Sequence, residues 1–490
     1  MKLKYIFLFI LILSLGISLR IFNIGKYDFW CDETVSILLA KETGHLSVTD
    51  YNYFIDPPIF YLLLSFWLHL GKSEFILRFF PFIFGVLSIP AIYLVSKELF
   101  NKKVGLISAF ILAVSPFHIY YSQELRTYSL VTFLALMTVY YLVKALKVNK
   151  VPYWVGFIIF TILTIYSHNI ALLLIIAVNT YFILFYKRYR VHLRRWLMSQ
   201  SVIFFFYLPW VGILFKQLHH IKASNLFQWM PNDYIFNLIR TFLIFDLGVN
   251  SGKIPHFLAN LLVFPLLLLG IWNNKEKIYL LLSWLFVPII MSMIVSKLIT
   301  SVFLFRTLIY VSPAYYILIS YGLSKLKPNK IYLYFLLFFS ILVGLSLKNY
   351  YQNAFPLPAS PFRMGVYPKK EIRLASSYID QNYQAGDIVA HTCEDTYFPF
   401  LYYHNKILEE KLIVSNYREV LFRTVYSKIL KRLKLNIANP EEIKKNGYDR
   451  IWLILSCQKP KDIKEYFDRN YVMAEYKEFK GITIYLYQIN

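Results

Sequence analysis

The sequence predicts a multi-spanning α-helical membrane protein that ends in a small extracytoplasmic α/β domain. Three observations carry this. Of the 490 residues, 58% are apolar and only 16% charged. Apolar runs of about 17–22 residues recur through roughly the first 350 positions, and a run near 20 crosses the hydrocarbon core. After them the composition changes sharply, with Pro356, Pro358 and Pro361 marking a linker. The net charge of +24 would suggest nucleic acid in a soluble chain. Here the basic residues fall in short loops between apolar runs, the pattern of cytoplasmic loops, so no nucleic-acid partner is implied.

Those loops fix the expected topology. Basic clusters lie at Lys2/Lys4, Lys97/Lys102/Lys103, Lys144/Lys147/Lys150, Lys187/Arg188/Arg190/Arg194/Arg195, Lys275/Lys277 and Lys325/Lys327/Lys330. If all are cytoplasmic, an even number of crossings separates each neighbouring pair. The expected spans are 4–22, 76–96, 104–120, 127–146, 153–167, 170–186, 197–215, 256–272, 278–296, 306–323 and 331–347, about eleven transmembrane helices. As one helix, 151–186 would be roughly 54 Å long against a core of about 30 Å. Two short spans hinged near Ser167-His168-Asn169 satisfy both length and parity. The stretch 234–247 is too short to cross and reads as interfacial or re-entrant, as does Pro57 to Leu70. The first run lacks a small-residue cleavage site and reads as a retained helix rather than a signal peptide. The N-terminus is then cytoplasmic and the C-terminus outside.

The expected organisation is a transmembrane domain over 1–347, a linker over 348–368 and an extracytoplasmic α/β domain over 369–490. Ile372, Ala375 and Ile379 line one face of a helix that ends near Gly386. DIVAHT (387–392) and RIWLILS (450–456) read as buried strands, 461–469 as a helix and 482–488 as a last strand. Cys31, Cys393 and Cys457 all fall outside, where disulfides are permitted. Cys393 and Cys457 end two expected strands, so they either pair or remain buried thiols. There is no CxxC or HExxH spacing, no internal repeat and no low-complexity segment.

The informative polar residues share the outer side of this topology. The first outer loop carries Asp32, Glu33 and Asp56; the next turn, SPFHIYYSQELRTYS, carries His118, Glu124 and Arg126; His168 and Arg306 follow at later outer ends. Acidic groups at membrane depth tend to be functional, yet each has a plain alternative. Asp32 and Glu33 could be interfacial charges, and Asp56 before Pro57-Pro58 could start a turn. Glu124 and Arg126 could neutralise each other, although i and i+2 do not face one another on a helix. His118 and His168 could be satisfied polar residues, and Arg306 a snorkelling helix end.

LRIFNIGKYDFWCDETVSILLA resembles the first-loop signature of the GT-C membrane glycosyltransferases, specifically the dolichyl-phosphate-mannose protein mannosyltransferase and aminoarabinose lipid A transferase superfamily. DPPIFYLLLSFWLHLGKSEFILRFFPFIFGVLSIPAIYLVSKELF, SPFHIYYSQELRTYSL, SHNIALLLI and FRTLIYVSPAYYILISYGL resemble later blocks of the family in order and spacing, so the likeness covers roughly 15–325. The resemblance implies a sugar donor on a polyprenyl phosphate, and an acceptor hydroxyl or amine on a lipid, protein or glycan. It implies inversion at the anomeric carbon, in the cell membrane of a bacterium or archaeon among membrane lipids. Asp32 is then the expected catalytic base, with Glu33 orienting it or the acceptor. Arg306 and Arg126 are the expected donor-phosphate ligands, since guanidinium suits a leaving phosphate. Asp56, Glu124 and His168 would bind or orient substrate. No cofactor is fixed by the sequence; a divalent cation would draw on Asp56, Glu124 and His168, whose spacing is not diagnostic. Two positions depart from the pattern: Asp56 stands where the family often has Lys or His before Pro-Pro, and Thr307 follows Arg306 where Tyr is common. The first puts a donor-phosphate role at that position in doubt.

Two other classes compete. No Gly-rich turn follows a strand and opens a helix, which argues against a nucleotide-sugar enzyme. A lipid-linked sugar flippase or polysaccharide exporter shares the many spans, but it should carry charges and broken helices near mid-membrane. Here the ionisable residues gather at the outer rim. The sequence names neither the sugar nor the acceptor.

Overall fold

The computed structural model describes residues 2–43, 56–224, 234–272, 275–326, 329–357, 366, 368–405, 408–413, 436–445, 447–456 and 461–489. Helices α1 Lys2–Ile21, α2 Cys31–Glu42, α3 Ile59–Trp67, α4 Glu74–Leu99, α5 Lys102–Val114, α6 Pro116–Ser122, α7 Tyr128–Val148, α8 Val151–Ile165, α9 Leu172–Leu184, α10 Tyr186–Tyr189, α11 Leu193–Ser224, α12 Tyr234–Leu247, α13 Lys253–Ile271, α14 Lys275–Leu298, α15 Ser312–Ser324 and α16 Asn329–Tyr351 precede the α/β segment. That segment follows as α17 Ile372–Asn382, β1 Asp387–His391, α18 Glu394–Tyr403, β2 Glu410–Ile413, β3 Ile437–Ala438, α19 Pro440–Lys445, β4 Arg450–Leu455, α20 Lys461–Asn470, β5 Val472–Phe479 and β6 Ile482–Gln488.

The chain divides into two compact units, and neither is one continuous stretch: Met1–Ile24, Phe54–Phe60 and Arg78–Tyr367 make the first, and Gly25–Tyr53, Tyr61–Leu77 and Pro368–Asn490 the second. The second unit thus joins two early stretches to the residues after Tyr367.

In the first unit, among the described residues, seven helices are long and apolar enough to cross a membrane. Phe204, Phe205, Leu261, Phe264, Leu333 and Leu337 lie exposed on α11, α13 and α16; such continuous apolar surface is what acyl chains cover. Every expected span meets a helix, but not all are single long ones. The span at 104–120 is the pair α5 and α6, bent by 60°. Ser115 breaks it, ending α5 and accepting at 3.3 Å from the His118 N–H to start α6 at Pro116. The expected helix 306–323 is a 3-10 turn, Arg306–Val311, leading into the shorter α15. The run 151–186 breaks into two short helices around Ser167-His168. Gly270 and Gly322 let α13 and α15 lie backbone against backbone: a Cβ on Gly322 would stand 1.9 Å from the Leu266 carbonyl oxygen.

In the second unit a six-stranded sheet runs in the order β3-β2-β1-β4-β6-β5. Strands β1 to β4 pair in parallel, and β6 and β5 continue antiparallel. β1 is buried throughout, as a central parallel strand should be. Ile388, Ala390, Ile451 and Leu453 pack on one face of the sheet with Phe467 of α20. Val389, Trp452 and Ile454 pack on the other with Ile372, Ala375 and Ile379 of α17 and Phe400 of α18. The expected helices and strands of this segment are all present; β2, β3, β5, α18 and α19 are additions. Cys31 is a free thiol, and Cys457, the partner considered for Cys393, lies outside the described residues.

Candidate active site

The local folding of the first unit gathers polar residues from four segments. At the end of α1, Arg20 is fully buried. Its guanidinium donates to the carbonyls of Leu112 (2.9 Å) and Ala113 (2.7 Å), where α5 runs out of partners. Its Nε donates to the Ser122 hydroxyl at 3.2 Å. Gln123 then ties the following turn to α1, donating to the carbonyls of Arg20 (2.6 Å) and Phe22 (2.8 Å). Residues 123–126 are a non-helical turn. Glu124 is buried there, and its carbonyl accepts the Arg126 N–H at 2.7 Å. The turn is held from the other side where Thr127 donates to the Ser167 carbonyl at 2.8 Å. The 3-10 turn after Arg306 is tied to the same place, because the Tyr310 hydroxyl donates to the Ile170 carbonyl at 2.9 Å. Asp56 arrives by its own anchor, the Ile59 N–H donating to Tyr166 O at 3.3 Å.

The side chains brought together are Asp56, Arg126, His168 and Arg306. Arg126 Nη2 pairs with Asp56 Oδ2 at 3.0 Å, with side-chain exposures of 13% and 3%. His168 Nε2 faces Asp56 Oδ1 at 3.5 Å. His168 Nδ1 accepts the Ile170 N–H at 3.2 Å, so in the neutral ring the proton is on Nε2, toward Asp56. Both guanidiniums lie over one ring: Arg126 is 5.9 Å and Arg306 5.8 Å from the centroid of Tyr128. The same ring lies 6.2 Å from that of His168.

His118 falls elsewhere. Its Nε2 meets the Ser312 hydroxyl at 2.7 Å, and Ser312 donates on to Ile309 O, the satisfied-polar reading. Thr307, where the family commonly has tyrosine, donates to Leu304 O at 2.9 Å and completes its own turn. Among the described residues no three His, Cys, Asp or Glu side chains form a group that could hold a metal ion, and Asp56 and His168 are turned to each other and to Arg126.

In the second unit, Asp32 and Glu33 open α2. Asp32 is half-buried in the first turn, where the positive end of the helix favours a carboxylate. Glu33 is fully buried. Its Oε2 accepts the Trp30 N–H at 3.3 Å and lies 3.8 Å from Lys369 Nζ. Trp30 has no side-chain oxygen with which to cap, so Glu33 supplies the reciprocal half of a capping box. Sequence reasoning singled out neither Tyr128 nor Arg20 nor Lys369. A residue two positions beyond Arg126, facing the same end of the bundle, was the available signal for the first.

Residues 56–212 match the Dolichyl-phosphate-mannose-protein mannosyltransferase family. A curated relative, the Dolichyl-phosphooligosaccharide-protein glycotransferase 2 of Archaeoglobus fulgidus, is 32% identical over 164 residues, 29% of this chain and 28% of that protein; the chain thus spans under a third of its length. Among solved structures, ArnT from Cupriavidus metallidurans superposes with a TM-score of 0.64 at 13% identity over 97% of both chains. The same protein bound to undecaprenyl phosphate gives 0.64 at 12%, again over 97% of both chains. The Archaeoglobus fulgidus oligosaccharyltransferase gives 0.54 at 12% identity over 92% of this chain and 69% of that one. This chain is therefore an integral membrane protein with the GT-C fold over nearly its whole length, and the family match lies within that fold at 56–212.

Proposed function

We propose that this chain is an inverting glycosyltransferase. It moves a sugar from a polyprenyl-phosphate donor to a hydroxyl or amine of a lipid, protein or glycan at the extracytoplasmic membrane face. The observation that carries the reading is the pair of guanidiniums over Tyr128. Two arginines drawn from distant segments to one ring, with the ring and a neutral imidazole beside them, are suited to a phosphate. The solved ArnT complex with undecaprenyl phosphate supports a lipid phosphate as the carrier.

Arg126 and Arg306 hold the donor phosphate and stabilise the charge that grows on it. Asp56 and His168 fix the orientation of Arg126. Asp32 accepts the proton of the acceptor O–H or N–H as that atom bonds to the anomeric carbon. The bond from that carbon to the phosphate oxygen breaks, and the lipid phosphate leaves. A single displacement inverts the anomeric centre. Glu33, committed to the start of α2 and facing Lys369, orients Asp32 rather than reacting.

The test is transfer by the purified protein in lipid vesicles, with a panel of polyprenyl-phosphate sugars and acceptors. Wild-type protein turns over, and Asp32→Asn folds normally and does not. Full activity of Asp32→Asn overturns the assignment. Mass spectrometry of lipid-linked sugars and surface glycans in cells lacking the protein then names donor and acceptor.

A further inference from the structure

Helix α2 belongs to the second unit, and what fixes its entry is a set of contacts from the far end of the chain. Trp30 leads into α2 as extended backbone, with φ −100 and ψ 175. Asp28 Oδ2 accepts the backbone N–H of Arg373 at 2.9 Å. It thereby caps the first turn of α17, whose own N-cap, Glu371, makes no side-chain cap. Asp28 Oδ1 lies 3.2 Å from Arg373 Nη2, and the same guanidinium pairs with Glu74. The Tyr403 hydroxyl, at the end of α18, accepts the Phe29 N–H at 2.8 Å and donates to Glu74 Oε1 at 2.6 Å. Burial and then the hydrogen bond to Glu74 push this hydroxyl above the ordinary phenol range, so it stays a donor. Phe29 is fully buried, its ring edge-on to Tyr402 at 5.3 Å.

We propose that Tyr403, with Arg373 and Glu74, is a positioning group that sets where α2 begins and hence where the Asp32 carboxylate stands; this rests on Asp32 being the catalytic base. The hydroxyl bridges the backbone three residues ahead of Asp32 to the first turn of α4, one residue before the Trp30 N–H that Glu33 accepts. A reacting group displaced by about 1 Å loses rate on the order of 100-fold, so supporting contacts of this kind act on turnover rather than on substrate binding.

The experiment compares wild type, Tyr403→Phe and Arg373→Lys as full chains in lipid vesicles. Tyr403→Phe keeps the ring packed on Phe29 and removes only the bridge. Its kcat falls on the order of 10–100-fold while the donor KM stays within about twofold, and hydrogen exchange over residues 29–36 quickens while that of the sheet does not. Should Tyr403→Phe unfold, Arg373→Lys, which keeps the charge but not the fork geometry, gives the same pattern in milder form. Unchanged kcat, or unchanged exchange over 29–36, overturns the proposal. If wild-type protein transfers no sugar, the proposed function is what has failed; the exchange measurement then still decides whether Tyr403 orders the start of α2.

Discussion

Arg126 is paired with Asp56 at 3.0 Å, with both side chains largely sealed from their surroundings. Asp56 precedes the Pro-Pro pair, and at that position it turns the guanidinium that the proposed mechanism needs. Removing one partner of such a pair leaves a buried charge uncompensated, which costs about 3–5 kcal/mol. Asp56→Ala is therefore expected to lower the thermal unfolding midpoint in detergent sharply. Asp56→Asn, which keeps the shape and an acceptor oxygen, is expected to fall between wild type and alanine. Equal midpoints for all three would show that the pair does not stabilise the fold.

Arg306 reaches the same Tyr128 ring from a different segment. Charge-assisted hydrogen bonds to a phosphate are worth about 1.5–3 kcal/mol, so Arg306→Ala should raise the donor KM or lower kcat/KM on the order of 30-fold. Arg306→Lys should recover only part of this, because an ammonium cannot form the two parallel bonds. Steady-state kinetics against donor concentration read the effect directly.

A buried proton should make the α/β unit sensitive to pH. His391 Nε2 lies 3.0 Å from Glu410 Oε2, and His391 Nδ1 lies 3.1 Å from the Thr396 hydroxyl, which donates to Cys393 O. Thr396 thus accepts from Nδ1–H, the bare Nε2 faces Glu410, and the proton between them sits on the carboxyl. Burial pushes Glu410 up from 4.5 to about 7, with His404 opposing and Asp380 reinforcing, and burial pushes His391 down from 6.5 to about 3. Glu410 binds its proton more tightly when folded, so its contribution is complete below about 4.5 and is lost as pH rises through about 7. His391 binds its proton more weakly when folded, so its contribution is complete above about 6.5 and is lost as pH falls toward 3. Hydrogen exchange over 387–391 and 410–413 should therefore be slowest between about pH 5 and 6.5 once corrected for intrinsic rates. Glu410→Gln, which donates without titrating, should abolish the loss on the alkaline side.

The approach of α13 to α15 makes Gly322 intolerant of a side chain. With a Cβ only 1.9 Å from the Leu266 carbonyl oxygen, Gly322→Ala must move backbone and should destabilise by roughly 1–3 kcal/mol. Gly344→Ala is the control, because a Cβ there meets nothing within 4 Å; it should leave the midpoint unchanged or slightly raised.

The long apolar helices were legible because a span needs little more than length and hydropathy. The short ones at 151–186 were legible only because one straight helix would have been too long. Helix α2 was not legible: CDETVSILLAKE shows no clean apolar face, and the residues it buries include Glu33, Thr34 and Ser36. It is stabilised by packing against a segment more than 300 residues away, which no local pattern reports. β5 was missed for the opposite reason: VMAEYKEF is exposed on both faces, so it lacks the alternation that marks a half-buried strand. Within the site, the charged residues stood out against an apolar background, whereas Tyr128 is one of 41 tyrosines and is distinguished only by what lies over it. Arg20 likewise read as part of a motif rather than as the group that ends α5.

The second unit is discontinuous in sequence, which has a consequence for biosynthesis. Ribosomes release the stretch that bears Asp32 near the beginning of translation, but Arg373 and Tyr403 emerge only after all the membrane helices. During that interval the contacts of Arg373 with Asp28 and of Tyr403 with Phe29 cannot form, and closing so long a loop comes late and slowly. A nascent or truncated chain that stops before Pro368 would insert its helices and still lack an ordered α2. Premature stop codons far downstream of Asp32 should therefore be as damaging as loss of Asp32 itself.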